Sequence, residues 1–312
     1  MRRGRCAALA VLALLWVSGC SDPSDVPTAP PAVAPGPPTA GRSAESGPGT
    51  PTPKAPKPQE RQPRERSRVL YLGDSLAMES QAALADRVSA TGRATVHSAP
   101  HSGTTLCDYL TETQRDSLVP PRDKAAALVG AETPSVVVLQ FWGNSWGYTP
   151  CMGSIPQGGS ARYYTRYAAD AKALTEQIAT AARDAGIPRP RIVWVLQAPD
   201  AFAPDRVRRV NDIYRAQAAS GPDTVADAGR RVSPAGDRYT WTRQLPCNDE
   251  ERARARDCTG GLTSLHRADD HLHFCLAPTT KRSRPCPVRS PGIVRYTNAI
   301  AEVVDVSLRG KT

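Results

Sequence analysis

Five short apolar runs separated by longer amphipathic stretches leave residues 68–308 little choice of architecture. Arg68–Leu72, Ala94–Ser98, Ser135–Gln140, Arg191–Gln197 and Thr224–Asp227 read as strands. Leu76–Val88, Arg122–Val129, Arg162–Ala185, Asp205–Ala219 and Gly292–Leu308 carry helical periodicity. Strands that are almost continuously apolar are buried on both faces, and a helix between consecutive strands returns the chain so that neighbours run parallel. The expected fold is therefore α/β: a single three-layer domain over 67–312, with a doubly wound parallel sheet of about five strands and helices on both faces. A length of about 245 residues suits one such domain. Sites in open sheets of this kind gather at the carboxyl ends of the strands.

Gly73-Asp74-Ser75-Leu76 stands where the first run turns into the first helix. Alone, a Gly-Asp-Ser triplet is ordinary turn chemistry, because Asp and Ser bond their own backbone and Gly supplies unusual dihedrals. Other segments give it a different meaning. A serine hydroxyl attacks a carbonyl only with a base beside it, a group orienting that base, and donors for the oxyanion that forms. Asp270-His271-Leu272-His273 offers a carboxylate and an imidazole three residues apart, a spacing that a tight loop closes into one hydrogen bond. Gly103, in a Ser-Gly-Thr-Thr loop, and Asn144, after the third strand, are candidate oxyanion donors, by backbone and by side chain. Ser75, Gly103 and Asn144 each follow an expected strand and so fall on the same sheet edge.

These four blocks, Ser, Gly, Asn and Asp-x-x-His in chain order, resemble those of the SGNH hydrolases, also called GDSL esterases and lipases. The resemblance spans roughly residues 68–309. It implies a flavodoxin-like sheet, Ser75 as nucleophile, His273 as general base, Asp270 as its partner, and an oxyanion hole from the Ser75 amide, Gly103 and Asn144. Two positions depart from the family pattern. The third block, usually Gly-x-Asn-Asp, is Trp142-Gly143-Asn144-Ser145, and His271 stands where a small residue is usual. The activity implied is hydrolysis of short acyl esters, on cell-envelope glycans or small molecules, without a cofactor. Two alternatives share the fold: O-acyl transfer to an envelope polysaccharide, and a non-catalytic glycan-binding module using Trp142 and Trp146.

The N-terminus adds a location. Arg2, Arg3 and Arg5 precede an apolar stretch, Ala7–Val17, of signal-peptide proportions and too short to span a bilayer. It ends in Val17-Ser18-Gly19-Cys20, which resembles a bacterial lipobox. Residues 1–19 are thus expected to be a lipoprotein signal, with Cys20 lipidated and the domain held at the outer face of the cytoplasmic membrane, in the cell wall or periplasmic space. Simple secretion would leave Cys20 unpaired. The tether that follows holds 13 of the 30 prolines and no aromatic, Leu or Ile residue between Ser21 and Arg66, so it cannot bury enough apolar surface to order itself. At about 3.1 Å for each extended residue it reaches roughly 140 Å.

With Cys6 in the leader and Cys20 at its end, the 8 cysteines leave an even set: Cys107, Cys151, Cys247, Cys258, Cys275 and Cys286. In an exported chain such a set reads as disulfides. The pairing expected is Cys107 with Cys151, Cys247 with Cys258 and Cys275 with Cys286; Cys275 with Cys258 is the alternative. Asp270, His271, His273 and Cys275 lack the second ligand pair that a zinc site needs, so no metal is expected. The net charge of +10 is spread over the leader, the tether and several helix faces. Without a recognised module or an aromatic-basic platform it does not argue for nucleic acid, and suits contact with anionic envelope polymers or head groups.

Overall fold

A computed structural model describes residues 66–310, except 146–148, 154, 157–159 and 279–282. The expected leader, lipidated Cys20, nearly all of the tether, and Trp146 lie outside the described residues.

The sequence Val69-Leu70-Tyr71-Leu72 forms β1 (Ser67–Gly73), and all four of those side chains are fully buried. Both faces of β1 are covered, which is why its apolar run is unbroken. It pairs in parallel with β2 (Ala94–Ser98) on one side and β3 (Val136–Gln140) on the other; β4 (Arg191–Val195) and β5 (Thr224–Ala226) extend the sheet beyond β3. The strand order is β2-β1-β3-β4-β5.

Alternate side chains sort the core into two layers. Leu70, Leu72, Val137, Leu139, Ile192 and Trp194 face one cluster, which also holds buried residues of α2 (Ala125–Glu132), α3 (Ala161–Asp184) and α4 (Pro204–Ala219). Val69, Tyr71, Val136, Val138, Val193 and Val195 face the other, with α1 (Ser75–Ser89), the single turn α5 (Ala228–Arg231) and α7 (Pro291–Arg309). The doubly wound, flavodoxin-like sheet follows from this alternation. Because the chain goes from β1 outward to β2 and then returns to β3, the order reverses between β1 and β3, the place where α/β sheets open a crevice.

The second helix starts three residues later than its periodicity predicts. Pro121–Asp123 form a separate 3-10 turn, and Lys124 is extended, with its ammonium turned inward to the Asp108 carbonyl at 2.6 Å. A two-stranded antiparallel sheet, β6 (Gln244–Pro246) and β7 (Leu262–Ser264), encloses the single turn α6 (Asp249–Arg252) and was not expected. Three-residue strands carry too little periodicity to read, and here the disulfide Cys247–Cys258 closes the insertion. The other two disulfides are Cys107–Cys151 and Cys275–Cys286, so all three expected pairings are present.

Gly73 marks the tightest point of the frame: a Cβ there would lie 2.2 Å from the Gln140 carbonyl oxygen of β3 and 2.4 Å from the Ala77 Cβ. Gly73→Ala is expected to lower stability by about 1–3 kcal/mol in urea unfolding, because backbone rather than a movable side chain must give way. Gly130→Ala, on the exposed face of α2 with nothing within 4 Å of the new methyl, is expected to raise it by about 0.5–1 kcal/mol. Equal effects in both variants would remove the close β1–β3 approach as the reason for glycine at residue 73.

Candidate active site

The turn from β1 into α1 is built around Asp74. It is the N-cap of α1, one carboxylate oxygen accepting from the Leu76 amide at 3.0 Å. The other accepts from the Trp142 amide at 2.6 Å and lies 3.4 Å from the Asn144 side-chain nitrogen. Asp74 is fully buried, and burial pushes its pKa up to about 6 against these donors. A capping residue is readable from sequence; that its second oxygen would hold the loop after β3 is not. Ser75 follows as the first residue of α1, half-buried at the sheet's carboxyl edge.

The structure brings Ser75, His273 and Asp270 together. Ser75 Oγ lies 2.9 Å from His273 Nε2, and His273 Nδ1 lies 3.0 Å from Asp270 Oδ2. Asp270 also closes its own loop, since Oδ1 accepts from the amides of Leu272 and His273, each at 3.0 Å. Partial burial works against ionising Asp270, yet the hydrogen bonds from the His273 ring and backbone hold it well below the usual carboxylate range. Burial likewise works against the imidazolium, but the Asp270 hydrogen bond and the negative charges of Glu79, Asp270 and Asp74 raise the His273 pKa.

What fixes the ring is the segment after it. Phe274 is buried between His266 and Tyr296, and Gly292 of α7 leaves room for its ring. Cys275 is bonded to Cys286, so its sulfur is not a thiolate ligand. His271 points elsewhere, its ring against Phe202 and Trp241, and its backbone carbonyl accepts from the Trp241 indole.

Gly103 has φ of 78°, a left-handed conformation that favours glycine, in the loop after β2. The loop docks through Thr104, whose hydroxyl donates to the His101 carbonyl at 2.6 Å and whose own carbonyl accepts from Asn144 Nδ2 at 2.9 Å. Among the described residues the backbone N–H groups of Ser75 and Gly103 have no acceptor. Ser75 and His273 open onto a cavity of about 150 Å³ lined also by Ser102, Glu79 and Arg267. A separate cavity of about 400 Å³, on the other side of the Asp270 loop, is walled by Trp142, Phe202, His271 and Leu272. The guanidinium of Arg206 lies 3.8 Å over the Trp142 ring.

No protein-family model and no curated protein matches the chain. Among solved structures it is similar to a GDSL-like lipase from Bacteroides thetaiotaomicron, at 12% identity and a TM-score of 0.42 over 79% of this chain and 89% of that one. It is also similar to the catalytic domain of peptidoglycan O-acetyltransferase A from Streptococcus pneumoniae, at 12% identity and a TM-score of 0.38 over 78% and 96%. A carbohydrate esterase family 2 enzyme from Corynascus thermopiles is similar at 11% identity and a TM-score of 0.42, over 81% and 69%. At such identities and scores these likenesses carry no functional weight beside the residues themselves.

His273 is expected to titrate above the ordinary histidine value of 6.5, its ring becoming neutral only as pH rises past that point. Asp270→Asn removes the first of the favourable interactions and should bring the pKa down. Ring-proton chemical shifts followed against pH measure both, and a wild-type value at or below 6.5 would contradict the electrostatics described.

Proposed function

We propose that the protein is a serine esterase of the SGNH type acting on short acyl esters. The observation that carries this reading is the unbroken relay of Ser75, His273 and Asp270, with contacts of 2.9 and 3.0 Å, at the switch point of the sheet. In the first step Ser75 Oγ attacks the ester carbonyl carbon while His273 Nε2 takes the hydroxyl proton. Asp270 on Nδ1 holds the imidazole in the tautomer that can accept this proton and stabilises the imidazolium that results. The oxyanion is met by the Ser75 and Gly103 amides and by the one Asn144 side-chain hydrogen that the Thr104 carbonyl does not take, which leaves its long 3.4 Å contact with Asp74 to do so. Collapse expels the alcohol, which takes the proton from His273, and water then repeats the cycle to free the acid from the serine.

A site cavity of about 150 Å³ supports a short acyl group, since pockets for drug-sized ligands run to roughly 300–1,000 Å³. Three disulfides, the signal-like leader, the Cys20 lipobox and the proline-rich tether support an enzyme anchored by lipid outside the cytoplasmic membrane, with its substrate on envelope glycans or small molecules.

A fluorophosphonate probe is expected to label Ser75, located by peptide mass spectrometry, because only a serine beside a base and an oxyanion hole attacks it readily. Ser75→Ala and His273→Ala should each lower hydrolysis of short-chain aryl esters by about 10³-fold or more. His271→Ala should cost far less. Labelling at another serine, or a reversal of the two histidine variants, would replace this assignment. Asn144→Ala should lower kcat by about 10²–10³ with KM little changed; equal turnover per folded molecule would take Asn144 out of the oxyanion hole.

A further inference from the structure

Glu79 lies one helical turn beyond Ser75 on α1, on the same face, and is 6% exposed. A carboxylate buried on the inner side of a helix is costly unless its oxygens are met by donors. Here both are met by backbone. One oxygen accepts from the Phe274 amide at 2.9 Å and the other from the Cys275 amide at 3.0 Å, the two residues directly after His273. The Glu79 backbone carbonyl accepts from the Cys286 amide at 3.1 Å. Both arms of the loop closed by the Cys275–Cys286 disulfide are therefore tied to this one residue.

Glutamate is the side chain of this length that offers two equivalent acceptors to two consecutive N–H groups. Glutamine would present an NH₂ to one of them. The groups that feel the Glu79 charge are His273, Asp270 and Arg267 from the base loop and Tyr71 from β1, while the Arg284 side chain lines the same cavity. Burial pushes the Glu79 carboxyl up to about 7, and its negative charge in turn raises the His273 pKa.

We infer that Glu79 is a positioning residue: its carboxylate clamps the segment after His273 to the nucleophile's own helix, so that one helical turn sets both where Ser75 stands and where the imidazole meets it. This rests on the serine-hydrolase reading. Glu79 touches no reacting atom; it acts through the base.

The test compares wild-type full-length protein with Glu79→Gln and Glu79→Asp, each checked for native circular dichroism. For every protein, kcat and KM on a short-chain aryl ester are measured across pH, with the fluorophosphonate labelling site mapped in parallel. Glu79→Gln is expected to lower kcat by roughly 10–10²-fold with KM within about twofold, as a misplaced base does. It should also move the acid limb of kcat/KM to lower pH, because a charge that raises the His273 pKa is gone. Glu79→Asp keeps the charge and both acceptors and should keep the wild-type acid limb while recovering part of the rate. A folded Glu79→Gln enzyme with wild-type kcat, or with its acid limb unmoved, would overturn the proposal. Should neither variant fold, amide hydrogen exchange in the wild type decides: Phe274 and Cys275 protected like β1 uphold the clamp, and exchange at exposed-loop rates overturns it. Failure of the wild type to label at Ser75 would instead strike the serine-hydrolase reading.

Discussion

The contact between β1 and β3 at their carboxyl ends is the constraint on which the site depends. Gly73 lets the two backbones close to the point where a methyl group would strike the Gln140 carbonyl, and the Asp74 amide then donates to that same carbonyl at 3.2 Å. From this junction the Asp74 carboxylate reaches forward to start α1 and sideways to the Trp142 amide. A single buried side chain thus orients the serine and the loop carrying Asn144. Donors fixed in backbone, which cannot rotate away, offset part of the cost of desolvating it.

The opposite half of the site has no strand to stand on. Asp270 and His273 lie in irregular chain between β7 and α7, and such segments gain order only from what they bond to. Here the supports are several, the Glu79 carboxylate on the Phe274 and Cys275 amides among them. Asp270 bonds the amides ahead of it, Phe274 is buried under α7, and Arg267 donates to the carbonyls of Cys275 and Ala277 at 3.1 and 2.8 Å. The disulfide to Cys286 adds a covalent closure. Such a closure restrains a segment whose own packing is thin.

Much of this was legible beforehand because the signals were local. Short unbroken apolar runs rich in valine, such as Val136–Leu139, favour strands covered on both faces, and Ser75, Gly103 and Asn144 were placed at one edge by the strands that precede them. The Asp270–His273 spacing was readable because three residues are enough to close a carboxylate onto an imidazole. What could not be read is every contact that needs three dimensions. Glu79 looks like any polar residue on an amphipathic helix until the chain from Phe274 to Cys275 is laid across it. The second oxygen of Asp74 and the inward turn of Lys124 are of the same kind. The β6–β7 insertion escaped for another reason, since three-residue strands have no period to detect.

The serine and its base are 198 residues apart in the chain, and the loop bearing the base is held by α7, the last helix of the fold. Contacts of such separation form late, because the entropy of closing the intervening chain must be met before they repay it. On the proposed serine-esterase reading, a chain that emerges from its N-terminus presents the serine long before the segment that would activate it. On that reading Ser75 stays an ordinary alcohol until α7 docks, because His273 is not yet held beside it. For the esterase proposed above, the order of residues along the chain would tie reactivity to the completed domain.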